Sequence, residues 1–575
     1  MTETHRPTST RRLADRLAPL AAQLYPEAAD DVVAALVDLA DTWSARLGPA
    51  RQSRPDERTA YLITYGDSFR RAGETPLHTL AGVLSEHIGG VISDVHLLPI
   101  YPWTSDDGFG VIDHREVNPG LGTWDDVADL GEQYALALDF VANHVSSSSP
   151  WFRAWLAGDP RYAGYFLDPS ASFDVSHVVR PRTTPLVHEY PRPDGSVARA
   201  WTTFGADQVD VDPSTPAVLL ELTDILLGYL ARGATTVRLD AIGFLWKESG
   251  TTCIHLPQTH AIIRIWRILV DELAPGTLLL TETNVPHADN ITYFGDGDDE
   301  AHMVYQFALP PLVLHSFVTG DATALAEWAA GVGPVSGTAT WFNFLASHDG
   351  IGLRPTEGLL TDADRDRLVE RTLARGGRVS MAKRPDGSEG VYELNTNFLD
   401  ALVDPDDADP HASAVQRGLA AHAILLSLIG VPAIYLHSLF GSEQDHDGVQ
   451  ESNIARRINR EVLDADELRT ELRAGGRRSG MLDGIREMLA VRRRTPGFSP
   501  FATQTVERRD DRALIVRRAA GTPDEVVAAV NVSAEPVFLP TLRGTDLLSG
   551  EAFDGLTLEP FGYVWLTGAD ESRTR

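Results

Sequence analysis

The sequence predicts a (β/α)₈ barrel with two long insertions and a C-terminal antiparallel β-domain. From residue 61 onward, short apolar runs alternate with longer segments of helical periodicity, which is typical of βα units. There are eight such runs, the number of parallel strands that closes a barrel of this type. Beyond about residue 500 the runs become shorter and are separated by turns, as in a small antiparallel sheet. The predicted barrel strands are Tyr61–Thr64, Asp94–Pro99, Ala135–Phe140, Thr235–Leu239, Leu278–Thr281, His302–Gln306, Thr340–Ala346 and Ala433–Leu436.

In chain order, residues 1–58 read as two amphipathic helices, expected to pack on the barrel or to support a homodimer. The barrel is assigned to residues 59–144, 211–349 and 411–500. Residues 145–210 and 350–410 form insertions after the third and seventh strands, and residues 501–570 form the β-domain. Because barrel active sites lie at the carboxyl ends of the strands, insertions at these two positions are expected to shape a substrate pocket.

Composition limits the classes of protein to which the chain can belong. Its 575 residues are 43% apolar, which is enough for a substantial core. The net charge of -31, from 50 basic and 81 acidic residues, argues against nucleic acid or an anionic membrane surface as a partner. A single cysteine, Cys253, excludes an intramolecular disulfide or a thiolate metal site. No apolar stretch reaches membrane-spanning length and no clean signal-peptide core is present, so we expect a cytoplasmic protein.

Polar side chains stand at the ends of four predicted strands. Closing the barrel would bring them to one rim, where core packing alone does not explain them. Three carboxylates without thiolates leave two chemistries open. One is a metal site of Asp, Glu and His ligands, and the other is glycosidic bond cleavage by a carboxylate nucleophile and a carboxylic acid. The residues concerned are His144, Arg238, Asp240, Glu282, His348 and Asp349.

The local sequence predicts different protonation states for two of these carboxyl groups. Arg238 lies two residues before Asp240, so both side chains point to the same face of a strand. A nearby cation favours the ionised form that a nucleophile needs, although a core ion pair alone would give the same pattern. Glu282 has no adjacent cation in the sequence and could hold the proton of a general acid. A retaining mechanism would place the two carboxyl groups about 5–5.5 Å apart.

Four segments resemble the conserved regions of the α-amylase family of glycoside hydrolases. Further segments are similar to the sucrose phosphorylase branch of that family, and especially to its glucosylglycerate phosphorylases. Together they span most of residues 60–460. The family segments are DFVANH (139–144), RLDAIGF (238–244), TET (281–283) and SHD (347–349). The branch segments include SDDGFGVIDH (105–114), VRPR (179–182), WTTFGADQVDVD (201–212), CIHLPQTH (253–260) and VYQFALPPLVLH (304–315).

The resemblance implies a retaining phosphorylase that needs neither a cofactor nor a metal ion. The implied reaction converts 2-O-α-D-glucosylglycerate and phosphate into α-D-glucose 1-phosphate and D-glycerate. Asp240 would carry a covalent β-glucosyl group, Glu282 would act as the acid and base, and Asp349 would stabilise the transition state. The alternatives are phosphorolysis of sucrose, sucrose 6-phosphate or glucosylglycerol, an α-glucosidase or transglucosidase, and a non-catalytic binding protein on the same scaffold. A metal-dependent barrel enzyme is a more distant alternative.

The resemblance also implies the residues that hold the substrates, which are expected to be small molecules only. Arg182, with Arg180, is expected to bind phosphate. Glu393 follows Tyr392 where sucrose phosphorylases have Gln, and it is expected to orient an arginine or to bind acceptor hydroxyls. Arg354, Lys383 and Arg384 are candidates for binding an acceptor carboxylate. The other substrate-binding residues are expected to be Asp106, Phe109, His144, Phe204, Gln208, Arg238, His348, Tyr392 and Arg460.

Overall fold

The computed structural model describes residues 6–48, 54–383 and 388–568. Its centre is a closed barrel of eight parallel strands, in which β1 pairs with β2 on one side and with β8 on the other. The predicted fold class is therefore confirmed. The barrel strands are β1 (Tyr61–Thr64), β2 (Asp94–Leu97), β3 (Ala135–Phe140), β4 (Ala234–Leu239), β5 (Leu278–Thr281), β6 (Met303–Tyr305), β7 (Thr340–Phe344) and β8 (Val431–Tyr435).

All eight predicted strands are present, with differences only at their ends. β2 and β7 each end two residues earlier than predicted, because the apolar sequence continues into the loops that leave the barrel. β8 begins two residues earlier, directly after Gly430. Gly430 has a φ of 119°, a conformation that favours glycine, and it turns the chain from the preceding helix into the strand.

Helices surround the barrel and bury their apolar faces against it. In the helix Pro257–Leu273, for example, Ile262, Trp266 and Leu269 are all fully buried. No helix among the described residues carries an apolar stretch long enough to cross a membrane. The longer helices of this layer are Pro76–His87, Trp124–Gln133, Pro216–Ala231, Pro257–Leu273, Leu309–Thr319, Thr323–Ala330, Pro410–Ser427, Ala465–Ala474 and Arg477–Arg492. Shorter helices are Pro150–Leu156, His287–Asn290, Phe398–Leu402, Leu436–Leu439 and His446–Ser452.

Two N-terminal helices, Arg6–Leu24 and Ala29–Ser44, form an additional layer outside the barrel helices. They pack against the helices Pro257–Leu273 and Pro216–Ala231. The indole Nε1 of Trp43 donates a hydrogen bond of 2.8 Å to Asp224 Oδ1. The predicted helix pair is thus present and is attached to the barrel by both apolar and polar contacts.

Two insertions rise from the carboxyl ends of β3 and β7. The first is anchored by the antiparallel pair His144–Ser146 and Gln208–Asp210, and it contains the hairpin Val187–Pro191 and Val197–Trp201. The second contains the helix Asp362–Ala374 and a three-stranded sheet. Glu389–Asn395 is the central strand of that sheet, between Ile351–Gly352 and Arg378–Lys383. Both insertions therefore stand over the catalytic end of the barrel.

The C-terminal part is an antiparallel sheet of six strands. One face, which includes Leu514 and Val516, joins the core of the barrel, whereas Ile515 and Val527 on the other face form a separate small core. Two of the strands, Gln504–Glu507 and Ala552–Leu558, were not predicted because polar residues and glycine interrupt their apolar pattern. The strand order is Gln504–Glu507, Ala513–Arg518, Val526–Asn531, Tyr563–Thr567, Val537–Asp546 and Ala552–Leu558.

Candidate active site

A cavity of about 710 Å³ opens at the carboxyl ends of the barrel strands, between the two insertions. Asp240 and Glu282 directly follow β4 and β5, and Asp349 lies in the loop after β7, so the barrel brings all three carboxylates to its wall. Nine further predicted residues line the same cavity. They are Asp106, Phe109, His144, Arg180, Arg182, Phe204, Gln208, His348 and Tyr392.

Arg238 lies beneath Asp240 and is not among the residues that line the cavity, and its expected contact with the substrate stays a prediction. Its Nη1 donates to Asp240 Oδ1 at 2.8 Å and also to Asp139, which is fully buried. His96 Nε2 lies 2.8 Å from the other oxygen of Asp139. A buried arginine with two carboxylate partners is well compensated, and here it fixes the orientation of Asp240 from below.

Glu282 has a neighbouring cation, contrary to the expectation from its sequence context. Arg238 Nη2 lies 3.8 Å from Glu282 Oε2, and the same oxygen accepts a hydrogen bond of 2.9 Å from the backbone N–H of Ala241. Ala241 has a left-handed backbone (φ 46°), which directs this N–H group towards Glu282. One guanidinium therefore serves both carboxyl groups, through a direct ion pair with Asp240 and a longer contact with Glu282.

The electrostatics of this pair favour a single shared proton. Burial raises the pKa of Asp240 and that of Glu282, although Arg238 opposes both shifts. The charge of Glu282 raises the pKa of Asp240 further, so the two groups resist being ionised together. Because Asp240 makes the shorter contact with Arg238, it is the better placed of the two to hold the negative charge.

Asp349 is held as an anion by an arginine that sequence reasoning missed. Although burial alone would raise the pKa of Asp349, the guanidinium of Arg456, with a smaller contribution from Arg460, holds it well below its usual range. Arg456 Nη1 lies 2.6 Å from Asp349 Oδ1. Arg456 follows β8 only after the two short helices Leu436–Leu439 and His446–Ser452, so the pattern of polar residues directly at the strand ends gave no signal for it.

Glu393 is not among the residues that line the cavity, and its expected contact with acceptor hydroxyls stays a prediction. It is fully buried and accepts two hydrogen bonds from Arg456, at 3.0 Å from Nε and 2.6 Å from Nη2. The expectation that it orients an arginine describes its position correctly. Tyr392, its neighbour on the strand, points the other way and lines the cavity.

A set of neutral polar and aromatic side chains surrounds the carboxylates. The rings of Phe109 and His348 stack with centroids 4.8 Å apart. Gln208 Nε2 lies 3.2 Å from both Asp106 Oδ2 and His144 Nε2. Burial lowers the pKa of His348 to about 3 and also lowers that of His144, so both imidazoles are neutral near pH 7. Such a wall offers uncharged hydrogen-bonding groups and an apolar face, as sugar rings require.

Arg460 supports this wall from behind the residues that line the cavity, and its expected place at the end of the sugar pocket stays a prediction. Its Nε donates to the carbonyl of His348 at 2.8 Å, and its Nη1 donates to Asp107 at 2.5 Å. Arg457 also donates to Asp107. Asp106 is the residue of this turn that lines the cavity, whereas Asp107 faces the two arginines.

Arg182 and Tyr392 connect the two insertions across the cavity. The guanidinium of Arg182 donates to the Tyr392 hydroxyl and lies 5.6 Å from the ring centroid of Phe204. Arg180 lines the cavity as well, and its side chain donates to the carbonyl of Thr184. Arg182 thus presents a positive charge to the cavity, and no carboxylate of the described residues contacts it directly.

Lys247 was not among the residues predicted from the sequence. It connects the first insertion to the barrel. Its Nζ lies 2.8 Å from Asp210 Oδ2 and 2.9 Å from Asn143 Oδ1. Asp210 also accepts hydrogen bonds from Thr203 and Asn143.

Among the described residues, no group of three or more His, Cys, Asp or Glu side chains is arranged to hold a metal ion.

The remaining candidates lie in the second insertion. Arg354 and Lys383 both line the cavity. Arg384, the third candidate for binding an acceptor carboxylate, lies outside the described residues.

The sequence and the fold match known proteins over most of the chain. Residues 64–349 match the family model of the α-amylase catalytic domain. A glucosylglycerate phosphorylase of Spirochaeta thermophila is 45% identical over 528 residues, which cover 90% of this chain and 89% of the relative. One from Escherichia coli is 43% identical over 521 residues, covering 90% and 93%. A sucrose phosphorylase of Agrobacterium vitis is 31% identical over 468 residues, covering 77% and 89%.

The fold is also that of a solved phosphorylase. The crystal structure of sucrose 6F-phosphate phosphorylase from Thermoanaerobacter thermosaccharolyticum superposes with a TM-score of 0.71 at 24% identity, covering 84% of this chain and 96% of that one. The catalytic-domain match and the high identity to curated phosphorylases over nearly the full length agree with each other. This chain belongs to the α-amylase family and, within it, to the group that contains the glucosylglycerate and sucrose phosphorylases.

Proposed function

We propose that this enzyme is a retaining phosphorylase that converts 2-O-α-D-glucosylglycerate and phosphate into α-D-glucose 1-phosphate and D-glycerate. The observation that carries the proposal is the convergence of Asp240, Glu282 and Asp349 with Arg182 in one cavity. Three carboxylates suit glycosidic bond chemistry, and an arginine free of carboxylate contact suits an anionic acceptor. The choice of glucosylglycerate follows the relatives that share 43–45% identity with this chain.

In the first half of the reaction, an Asp240 oxygen attacks the anomeric carbon as the bond to the glycerate oxygen breaks. Glu282 gives its proton to that oxygen, so glycerate leaves as a neutral alcohol group and a β-glucosyl ester forms on Asp240. Asp240 loses its charge in this step and Glu282 gains one. Arg238 lies 2.8 Å from Asp240 and 3.8 Å from Glu282, which lets one cation stabilise the anion before and after the transfer.

In the second half, a phosphate oxygen attacks the same carbon and releases Asp240. Glu282, now ionised, removes the proton of the hydrogen phosphate, which leaves the glucose 1-phosphate dianion and returns Glu282 to the protonated form for the next turnover. Two inversions at the anomeric carbon give α-glucose 1-phosphate with retention. The guanidinium of Arg182 is suited to bind the phosphate, because it can leave the Tyr392 hydroxyl for a stronger, charge-assisted partner.

Asp349 is proposed to stabilise the oxocarbenium-like transition state between the two steps. Its negative charge is maintained by Arg456, and the buried, neutral His348 beside it adds no competing positive charge. A fixed anion near a developing cation needs little reorganisation during the reaction. The proposed partners of the enzyme are small molecules only: the glucoside, glycerate, orthophosphate and glucose 1-phosphate.

The proposal is tested by incubating the enzyme with orthophosphate and, separately, 2-O-α-glucosylglycerate, sucrose, sucrose 6-phosphate and glucosylglycerol. The product to be measured is α-glucose 1-phosphate. We expect it from glucosylglycerate, in proportion to the glycerate released. Its formation from sucrose but not from glucosylglycerate would assign the enzyme to the sucrose phosphorylases, and glucose in place of glucose 1-phosphate would indicate a hydrolase.

A further inference from the structure

Arg354 is a half-buried arginine of the cavity wall whose side chain has no counter-charge. Among the described residues, its guanidinium makes no hydrogen bond or ion pair. Glu357 lines the cavity nearby but forms no ion pair with it. In a chain with a net charge of -31, an unpaired guanidinium facing a substrate cavity is unusual and indicates an anionic ligand. The other arginines of this wall have partners: Arg180 with Thr184, Arg182 with Tyr392, Arg365 with Asp362, and Arg456 with Asp349 and Glu393.

The backbone that carries Arg354 is fixed on both sides. The N–H of Leu353 donates to the carbonyl of Tyr392 at 2.8 Å. Arg354 then begins a short 3₁₀ helix in which Pro355 restricts the backbone and the Thr356 hydroxyl donates to the Leu353 carbonyl at 2.6 Å. A side chain on such a rigid segment loses little additional backbone freedom when it binds a ligand.

Arg354 stands on the same side of the cavity as Glu282. Gly352, two residues earlier, lies so close to Asn284 that a Cβ atom there would approach the Asn284 side chain to 2.5 Å. Asn284 in turn is two residues after Glu282 and lines the cavity. Since Glu282 protonates the departing oxygen, this wall is the one that the leaving group faces.

We infer that Arg354 binds the carboxylate of the acid that leaves and re-enters opposite the glucosyl group, and that it selects 2-hydroxy acids over neutral polyols. The inference rests on the proposed function. The planar guanidinium fork matches a carboxylate, and the resulting bonds are charge-assisted. Asn284 Oδ1 is buried and accepts no hydrogen bond within the described chain, so a hydroxyl group of the same acid would find an acceptor beside the arginine.

Two assays with the full-length enzyme separate this role from glucosyl transfer. The first is arsenolysis of α-glucose 1-phosphate, in which arsenate takes the glucosyl group and no acid is needed. The second is synthesis from glucose 1-phosphate with D-glycerate or with glycerol, which replaces the carboxylate by a neutral CH₂OH group. For Arg354→Gln we expect a loss of roughly 10- to 100-fold in kcat/KM for D-glycerate. Arsenolysis and synthesis with glycerol should change by less than about threefold, because neither uses the charge–charge contact.

Lys383→Gln is the matched control, because Lys383 also lines the cavity and has no ion pair within the described part of the chain, but its side chain is exposed to solvent. Arg354→Lys keeps the positive charge but loses the planar guanidinium. Its kcat/KM for D-glycerate should lie between those of the wild type and of Arg354→Gln. This variant serves as the test if Arg354→Gln does not fold. The inference is overturned if Arg354→Gln affects glycerate and glycerol equally, or if the selective loss follows Lys383. Absence of arsenolysis in the wild-type enzyme would instead refute the proposed function itself.

Discussion

At the scale of single residues, Arg238 is the group on which both candidate catalytic carboxylates depend. It is almost fully buried, it contacts Asp139 and Asp240 directly, and it lies 3.8 Å from Glu282. Asp139 keeps Arg238 compensated whichever catalytic group is ionised. The charge can therefore move between Asp240 and Glu282 during the reaction without leaving a buried cation unpaired.

Replacing Asp240 by Asn is expected to abolish turnover while leaving the fold intact. The amide cannot form the glucosyl ester, so kcat should fall by at least about 1,000-fold. Arg238 keeps its contact with Asp139, so no buried charge is left alone. Formation of glucose 1-phosphate measures the first effect and circular dichroism the second. Near-normal turnover in this variant would contradict the role of Asp240 as nucleophile.

The same variant predicts a pH-dependent gain in stability. The pKa of Asp240 in the folded enzyme is raised above its ordinary value of 3.8, so ionising the group opposes folding at higher pH. Asp240→Asn removes this cost and should unfold at a higher temperature than wild type at pH 7. The difference should shrink as the pH falls towards 4, because the carboxyl group of the unfolded chain takes up its proton around its ordinary pKa of 3.8 and the cost of ionising the folded form disappears. Thermal unfolding between pH 4 and 8 tests this, and a gain that grows towards low pH would contradict it.

Glu393 acts through Arg456, and its substitution by Gln is expected to impair catalysis more than binding. Arg456 would keep its contact with Asp349 but lose the charged partner that fixes its position. We expect kcat to fall roughly 10-fold with a smaller change in KM for glucose 1-phosphate. Glu389→Gln, on the same strand but exposed, is the control. A change confined to KM would indicate that Glu393 contributes to binding instead.

At the scale of elements, the first insertion depends on a lysine. The Lys247 ammonium, 2% exposed, lies between Asp210 of the insertion and Asn143 at the end of β3. A compact ammonium fits between two oxygens where a planar guanidinium would not. Asn143 and Asp210 adjoin His144 and the strand that carries Gln208, so this contact also positions two side chains of the cavity.

Lys247→Met should therefore destabilise the enzyme and impair substrate binding together. It leaves the fully buried Asp210 without its cation, which typically costs about 3–5 kcal/mol. Lys247→Arg should also be destabilising, because the larger fork must displace its neighbours. Adding Asp210→Asn to Lys247→Met is expected to recover part of the loss. Urea unfolding measures these differences, and a Lys247→Met variant as stable as wild type would exclude the proposed support of the insertion.

The elements were more predictable from sequence than the contacts between them. Eight buried strands and their helices leave a regular apolar pattern, and each strand end that carries Asp240, Glu282 or Asp349 is visible as a polar residue after an apolar run. Arg456 and Lys247 come from loops whose course is set only by tertiary packing. Lys247 did carry one signal, since it is one of only two lysines in the chain. Whether the side chains of Glu393 and Arg460 point into the cavity or away from it could not be predicted. No local sequence pattern fixes which face of either segment is buried.

At the scale of the whole molecule, two buried arginines connect the C-terminal sheet with the barrel. Arg518 donates to the carbonyls of Ser427 and Ser499, at 2.9 and 2.7 Å. Arg492 donates to the carbonyls of Glu57 and Phe498, at 2.6 and 3.0 Å. These bonds join segments that are far apart in sequence: the entry to β1, the helix before β8 and the start of the C-terminal sheet.

Arg518→Met tests how strongly this sheet is coupled to the barrel. The thioether would fill much of the space but leave the carbonyl of the buried Ser427 without its donor, which typically costs about 1–3 kcal/mol, whereas the carbonyl of Ser499 keeps a hydrogen bond from the N–H of Ala502. We expect the midpoint of thermal unfolding to fall clearly, and arsenolysis of glucose 1-phosphate at 25 °C to persist because the cavity lies at the other end of the barrel strands. Arg543→Met is the control, since Arg543 is exposed and pairs with Asp554 at the surface of the same sheet, where such pairs contribute little. If both variants unfold at the temperature of the wild type, the sheet does not depend on the buried guanidinium. If Arg518→Met loses activity while folded, the C-terminal sheet influences the active site across the length of the barrel.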